Sequence, residues 1–489
     1  MRHPFGCLVL LFSLTFLVAQ PVFAATITVD VATDNSSVGA LDQAGNGPCS
    51  LREAIQNANN DAATSNDCEA GSGNDIIVFS GVSSVTLVAE IFVTSPIEIR
   101  GQDSVTLSGG NTSNLFVVAS STGNLNLSRL IIQNGFSTGS GGALRTNVDT
   151  TIQCDRTTFR NNRADGTGGA ISASGVVNVD ACTFENNSAG TDGGAIHKNS
   201  SGALTVNATN FAENRAGILT NGQVNPNGGD GGAIHIVSSF IEAANITGSR
   251  FNKNTATNGS NGMVNGGGGA IANDGLMNIT GSVFAGNEVN GADWHGGAIW
   301  SGSSSILSVN YCHFGTTPLP LPAPFNTLTD PNRANGDRAI GGAIYNIGPI
   351  FILGSSFIGN QSSTNGGAFG SVSTADDVQI ANSTFSANSA GSRGGAIYTL
   401  RDDALMTLTN VTIANNSAVL EGGGIYNDGD GDNFGILNDE VLLQNTVLAN
   451  NSAPVGANCG GGTVGSEALN VVASPLAGDC PNAPASSEN

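Results

Sequence analysis

Chemistry in this chain would have to come from few residues. Sixteen Lys and Arg and five His are spread over 489 residues. A polysaccharide lyase needs a strong base, commonly Arg or Lys, beside calcium or carboxylates. A glycoside hydrolase needs two carboxylates facing one bond. The best acid pairs are Asp376-Asp377 and Asp402-Asp403, 26 residues apart, with Arg401 the one base at hand. Both lie where turns belong and read as turn acids. No Ser-His-Asp context and no zinc spacing occurs. Asp428-Gly-Asp430-Gly-Asp432-Asn433 sets oxygen ligands at alternate positions, a pattern that suits calcium. It is not an EF-hand loop, because Asn433 and Asp439 stand where Gly and Glu belong.

A different set of residues shares one position. The string Gly-Gly-Ala/Gly-apolar recurs ten times, with first glycines at 141, 168, 193, 231, 268, 296, 341, 366, 394 and 422. Its fourth residue is always apolar and faces a core, so the next one points outward on the pleat. Those outward residues are Arg145, Ser172, His197, His235, Ala272, Trp300, Tyr345, Gly370, Tyr398 and Tyr426. Three of the four Tyr and one of the two Trp fall there. In register they form an exposed ladder with His197 beside His235. Such a ladder stabilises the sheet, or stacks on sugar rings or a partner protein.

The elements that position this ladder follow from the repeat. Most spacings between glycine pairs are 25–28 residues, and the longer ones are that unit plus an insertion. Phe-x-x-Asn precedes the glycines, at Phe159/Asn162, Phe184/Asn187, Phe211/Asn214, Phe251/Asn254, Phe284/Asn287, Phe357/Asn360 and Phe385/Asn388. Ile413/Asn416 and Leu448/Asn451 are weaker copies. Phe314 lacks its Asn, with Thr317 in that place, and a Pro-rich insertion over 315–338 begins there. Segments between markers alternate with period two, hence short strands. One unit has too few apolar residues for its own core, but stacked units share one. The expected fold is all-β: a parallel β-helix of about a dozen coils. The glycines allow the sharp corners, and stacked Asn amides hydrogen-bond along the axis.

Gly-Gly-Ala-Ile with Phe-x-x-Asn over about Leu130–Asn451 resembles the polymorphic outer membrane protein repeat. Cys49-Ser-Leu-Arg-Glu-Ala-Ile55 with Asp75-Ile-Ile-Val-Phe79 resembles the CSLREA-type segment of exported bacterial β-helix proteins. The resemblance implies a right-handed β-helix at or outside the cell surface, often adhesive. Those proteins end in an outer-membrane barrel. This chain ends in a polar tail without ~10-residue amphipathic strands, so self-anchoring through a barrel is not expected.

The ends and the bulk composition agree with export. Arg2-His3, the apolar run Leu8–Val18 and Val22-Phe-Ala24 form a signal peptide over 1–24, and no transmembrane segment follows. Residues 25–80 form the CSLREA-type cap, 81–455 the β-helix repeats, and 456–489 a C-terminal disulfide loop and tail. Ser50-Leu-Arg-Glu53 is a capping box that starts a helix through about Ala58. Cys49–Cys68 and Cys459–Cys480 are the local disulfide pairs of an oxidising compartment. Of Cys154, Cys182 and Cys312, one is left free. Gly is 68 of 489 residues and charged residues 11%, so the chain folds with turns throughout. A net charge of −22 excludes nucleic acid and anionic membrane surfaces as partners. The expected function is non-enzymatic adhesion or surface display, with an extracellular glycan or protein as partner and calcium the only cofactor suggested. The alternative is a carbohydrate-active β-helix enzyme.

Overall fold

A computed structural model describes residues 24–34, 47–147, 150–199, 202–237, 242–258, 266–316, 330–372, 378–400, 405–429, 441–462, 464–466, 470–472 and 479–480. Residues 1–23 of the expected signal peptide, residues 317–329 of the insertion, both acid pairs, Asp430 and Asp432 lie outside them.

Each repeat becomes one coil. Val176–Asp180 alternates outward and inward, and Ala181 at φ 51° bends the chain into Thr183–Glu185. These two strands enter a broad sheet of 27 strands. Ser188–Ala189 enters a narrow sheet of 10 strands, and Ile196–Lys198 enters a sheet of 13. All the strand pairs described are parallel and one coil apart, for example Phe184 with Phe211 and Ile196 with Ile234. The fold is a parallel β-helix. Parallel pairing already begins at Thr26–Val29 against Asp75–Phe79.

The core is made of stacks rather than of scattered side chains. Phe159, Phe184, Phe211, Phe251, Phe284, Phe314, Phe357 and Phe385 are fully buried and pile ring on ring, 4.5–5.0 Å apart and within 8° of parallel. Beside them the Asn residues form the expected ladder. Asn187 Nδ2 donates to Phe159 O behind it and to Asn214 Oδ1 ahead, at 3.0 Å each. Its Oδ1 accepts from Asn162 N and Nδ2. The rung missing after Phe314 is supplied by Asn332, from beyond the insertion.

The two glycines of each pair answer different demands. Gly168 has φ 67°, the left-handed region that favours glycine. A Cβ on Gly169 would sit 2.1 Å from Gly194 O of the next coil. The first glycine therefore makes the corner, and the second lets the coils close on each other.

The helix near the N-terminus is as expected. Helix α1 spans Leu51–Asn60 with the Ser50/Glu53 capping box in place. Cys49–Cys68 and Cys459–Cys480 are bonded. The third cysteine expectation needs correction, since Cys154, Cys182 and Cys312 are all free and buried. Cys182 and Cys312 replace hydroxyls in a second ladder, which includes Thr157, Thr209, Ser249, Ser282, Ser355 and Ser383. Thr157 N–H points to Cys182 Sγ at 3.4 Å, Cys182 N–H to Thr209 Oγ1 at 3.3 Å, and Cys312 N–H to Ser355 Oγ at 3.1 Å. Burial pushes the Cys182 thiol up to about 12 and that of Cys312 to about 11, so neither is a ready nucleophile.

Candidate functional site

The 13-stranded sheet carries the Gly-Gly-Ala-Ile strands, and its outward positions stack in one file. From one end they read Phe92, Val117, Arg145, Ser172, His197, His235, Ala272, Trp300, Tyr345, Gly370, Tyr398, Tyr426 and Gly460. The expected ladder is therefore continuous. Phe92 and Val117 extend it, although their coils lack the glycine marker that betrays the others.

Its exposure is the part that fails. His197, His235, Trp300, Tyr345, Tyr398 and Tyr426 are 3–9% exposed. Side chains from the segments flanking these strands lie over the file. His295 stacks on Tyr345 at 4.3 Å, and Ile340 fills the space beside Gly370. Arg393 lies over the Tyr426 ring at 4.9 Å. Tyr398 O–H donates to Asp428 Oδ2 at 2.6 Å, so the first acid of the expected calcium loop already has a partner. Trp300 Nε1 is buried without a partner.

The densest chemistry on the file surrounds the two histidines. Their rings stack at 5.1 Å. His235 sits between Asp192, 3.8 Å from Nδ1, and Asp274, 3.6 Å from Nε2. Asp230 accepts from Gly267 N–H at 2.7 Å, and its own N–H donates to Asp192 at 2.9 Å. Burial, with the charges of His235 and Lys198 added, pulls His197 down to about 3. Burial and the nearby Asp192 push the Asp230 carboxyl up to about 7. For His235 burial acts downward, but its acidic neighbours outweigh it and hold the ring above its usual value. Among the described residues no group of three His, Cys, Asp or Glu is placed to hold a metal.

The repeat that builds this file matches a known one. The Chlamydia polymorphic membrane protein repeat matches residues 156–174, 181–198 and 382–400. The chain carries that repeat. Each matched polymorphic membrane protein repeat contains one Phe of the stack, one Asn of the ladder, one glycine pair and one residue of the file: Ser172, His197 or Tyr398. Comparison with curated proteins and with solved structures gave no match.

Among the described residues of the file, Phe92 and Arg145, both near its start, reach solvent. Beside Arg145 a groove of about 740 Å³ opens, walled by Val88–Glu90 on one side and reaching Asn147, the buried Ser172 and Asn199. Arg145 Nη1 donates to Asn147 Oδ1 at 2.6 Å, and Nη2 lies 3.3 Å from Glu90 Oε2. Sequence reasoning found Arg145 but not Glu90, whose pairing spans 55 residues and has no local signal.

Proposed function

We propose that this chain is an exported, non-enzymatic β-helix displayed at the cell surface, and that it binds a glycan or protein partner through the outward file. The observation that carries this reading is the groove beside Arg145, a file residue that reaches solvent where the file positions after it are buried. The match to a repeat of Chlamydia polymorphic membrane proteins supports display, as does the apolar run Leu8–Val18. Calcium at Asp428, Asp430 and Asp432 belongs to the same reading.

Two measurements test it. Antibody labelling and protease shaving of intact cells should find the protein outside, and purified protein should capture a surface partner in a pull-down. Protein retained in the cell would sink the display reading. Release of reducing or unsaturated sugar from a polysaccharide would move the assignment to an enzyme. Isothermal titration with calcium chloride reads the cation directly, and no heat of binding removes it.

A further inference from the structure

We propose that the start of the file, where Phe92 and Arg145 reach solvent, binds a neutral glycan laid along the solenoid axis, with Phe92 as stacking platform and Arg145, Glu90 and Asn147 as the hydroxyl-binding set. This rests on the outward file being a binding surface, and it names the ligand class.

Phe92 differs from the other aromatics of the file. It is 49% exposed, where those are 3–9%. Aromatic faces held open to water suit the C–H faces of sugars, which are apolar while their edges carry hydroxyls. Register places Phe92 two rungs from Arg145 with the fully buried Val117 between them, so a ligand reaching both crosses the Ala89–Glu90 ridge. At ~4.8 Å per rung that is roughly two sugar rings along the axis. Ala89 and Glu90 form the ridge between the groove and a second hollow, of about 450 Å³, which Phe92 lines with Gln56 and Asn59 of α1.

The polar set fits hydroxyls. A guanidinium, a carboxylate and an amide are planar and offer donors and acceptors side by side, the arrangement that vicinal hydroxyls require. Arg145 and Glu90 are each about a third exposed, 30% and 31%, so a ligand reaches them. Their charges cancel locally, while the whole chain carries −22. A polyanionic glycan is therefore repelled at a distance and finds no net positive charge on arrival.

The ridge is also fixed in advance. Arg52 donates to Glu90 O at 3.0 Å and Ala89 O at 2.6 Å, and pairs with Asp34 at 2.7 Å. Val88 N–H donates to the same Asp34 carboxylate at 2.9 Å. The Arg of the CSLREA-type segment thus acts as a positioning residue for Glu90, and a preformed wall lowers the ordering cost of binding.

The test is isothermal titration of the full chain with β-1,4-linked hexasaccharides of glucose, xylose and mannose, and with hexagalacturonate. At least one neutral hexasaccharide should bind, and Phe92→Ala and Arg145→Ala should each weaken it about tenfold, the loss of one stacking or charge-assisted contact. Phe92→Ala removes a half-exposed ring, so a circular dichroism spectrum like the parent's is expected of it. Three results would overturn the proposal: no neutral hexasaccharide binds, both variants bind like the parent, or hexagalacturonate binds more tightly. Failure here with the pull-down intact rejects the glycan alone. Failure of both rejects the file as a binding surface.

Discussion

Each interior ladder Asn uses its whole amide. Asn254 Oδ1 accepts from Asn214 N and Nδ2 at 3.1 and 2.9 Å, and its Nδ2 donates to Phe211 O and Asn287 Oδ1 at 3.0 Å each. Asn254→Ala leaves four buried groups short of a partner and should cost about 3–5 kcal/mol, read as a lower urea midpoint. Asn254→Asp should cost more, because an oxygen then faces Phe211 O and Asn287 Oδ1. The histidine cluster gives a signed pH prediction. Between about 4 and 7 the folded chain holds a proton on Asp230 that the unfolded chain has lost, so this group's contribution falls as pH rises through that window. Between about 3 and 6.5 the unfolded chain holds a proton that folded His197 refuses, so that contribution falls as pH drops. The two slopes oppose each other over about pH 4–6.5. Relative to the parent, Asp230→Asn should lose stability on acidification from 6.5 to 5, and His197→Phe should gain it. Urea midpoints at the two pH values decide, and parallel shifts in all three proteins would contradict the assignment.

At the scale of the element, the sequence made regular things visible and hid the long-range ones. The Asn ladder, the glycine corners, the capping box and the outward file recur at fixed offsets, so period alone revealed them. The hydroxyl ladder recurs too: the residue two before each Phe is Thr, Cys or Ser from Thr157 to Ser383. Reading Cys182 and Cys312 as thiols in search of partners hid their place in it. The burial of Tyr345 and Tyr398 was not legible, because what covers them arrives from other segments, such as Ile340 and Asp428, with no shared spacing. The element-scale prediction follows from the hydroxyl ladder. Cys182→Ser keeps an acceptor for Thr157 N–H and should change stability little. Cys182→Ala removes it and should cost about 1–3 kcal/mol for the stranded donor. Thermal midpoints of the two variants should differ, with serine the higher.

On the scale of the whole molecule the ladder has a direction. Besides the N–H it donates back to a carbonyl, each described ladder Asn accepts at Oδ1 from the coil before it and donates to the acceptor ahead, starting with Gly135 N–H to Asn162 Oδ1 at 2.9 Å. Asn-to-Asn bonds that all point one way must end on a group that accepts, and a carboxylate is such a group. Asn451 donates to Asn458, and Asn458 N and Nδ2 donate to Asp479 at 2.7 and 2.9 Å. Cys459 N–H adds a third bond to the same carboxylate, at 2.9 Å. Asp479 is held there by its neighbour Cys480, bonded to Cys459. Disulfide and carboxylate thus form one stop. Because each coil contacts only its neighbours, losing the stop should loosen the near coils and spare the far ones. Asp479→Asn, which turns one acceptor into a donor aimed at donors, should raise hydrogen exchange over the strands Val441–Gln444, Val447–Ala449 and Cys459–Gly461. Exchange over Gly175–Asp180 and Leu204–Asn207 should stay at the parent rate. Uniform protection along the chain would show that the ladder needs no carboxylate to end on. Uniform loss would show that the solenoid unfolds as one unit rather than from its end.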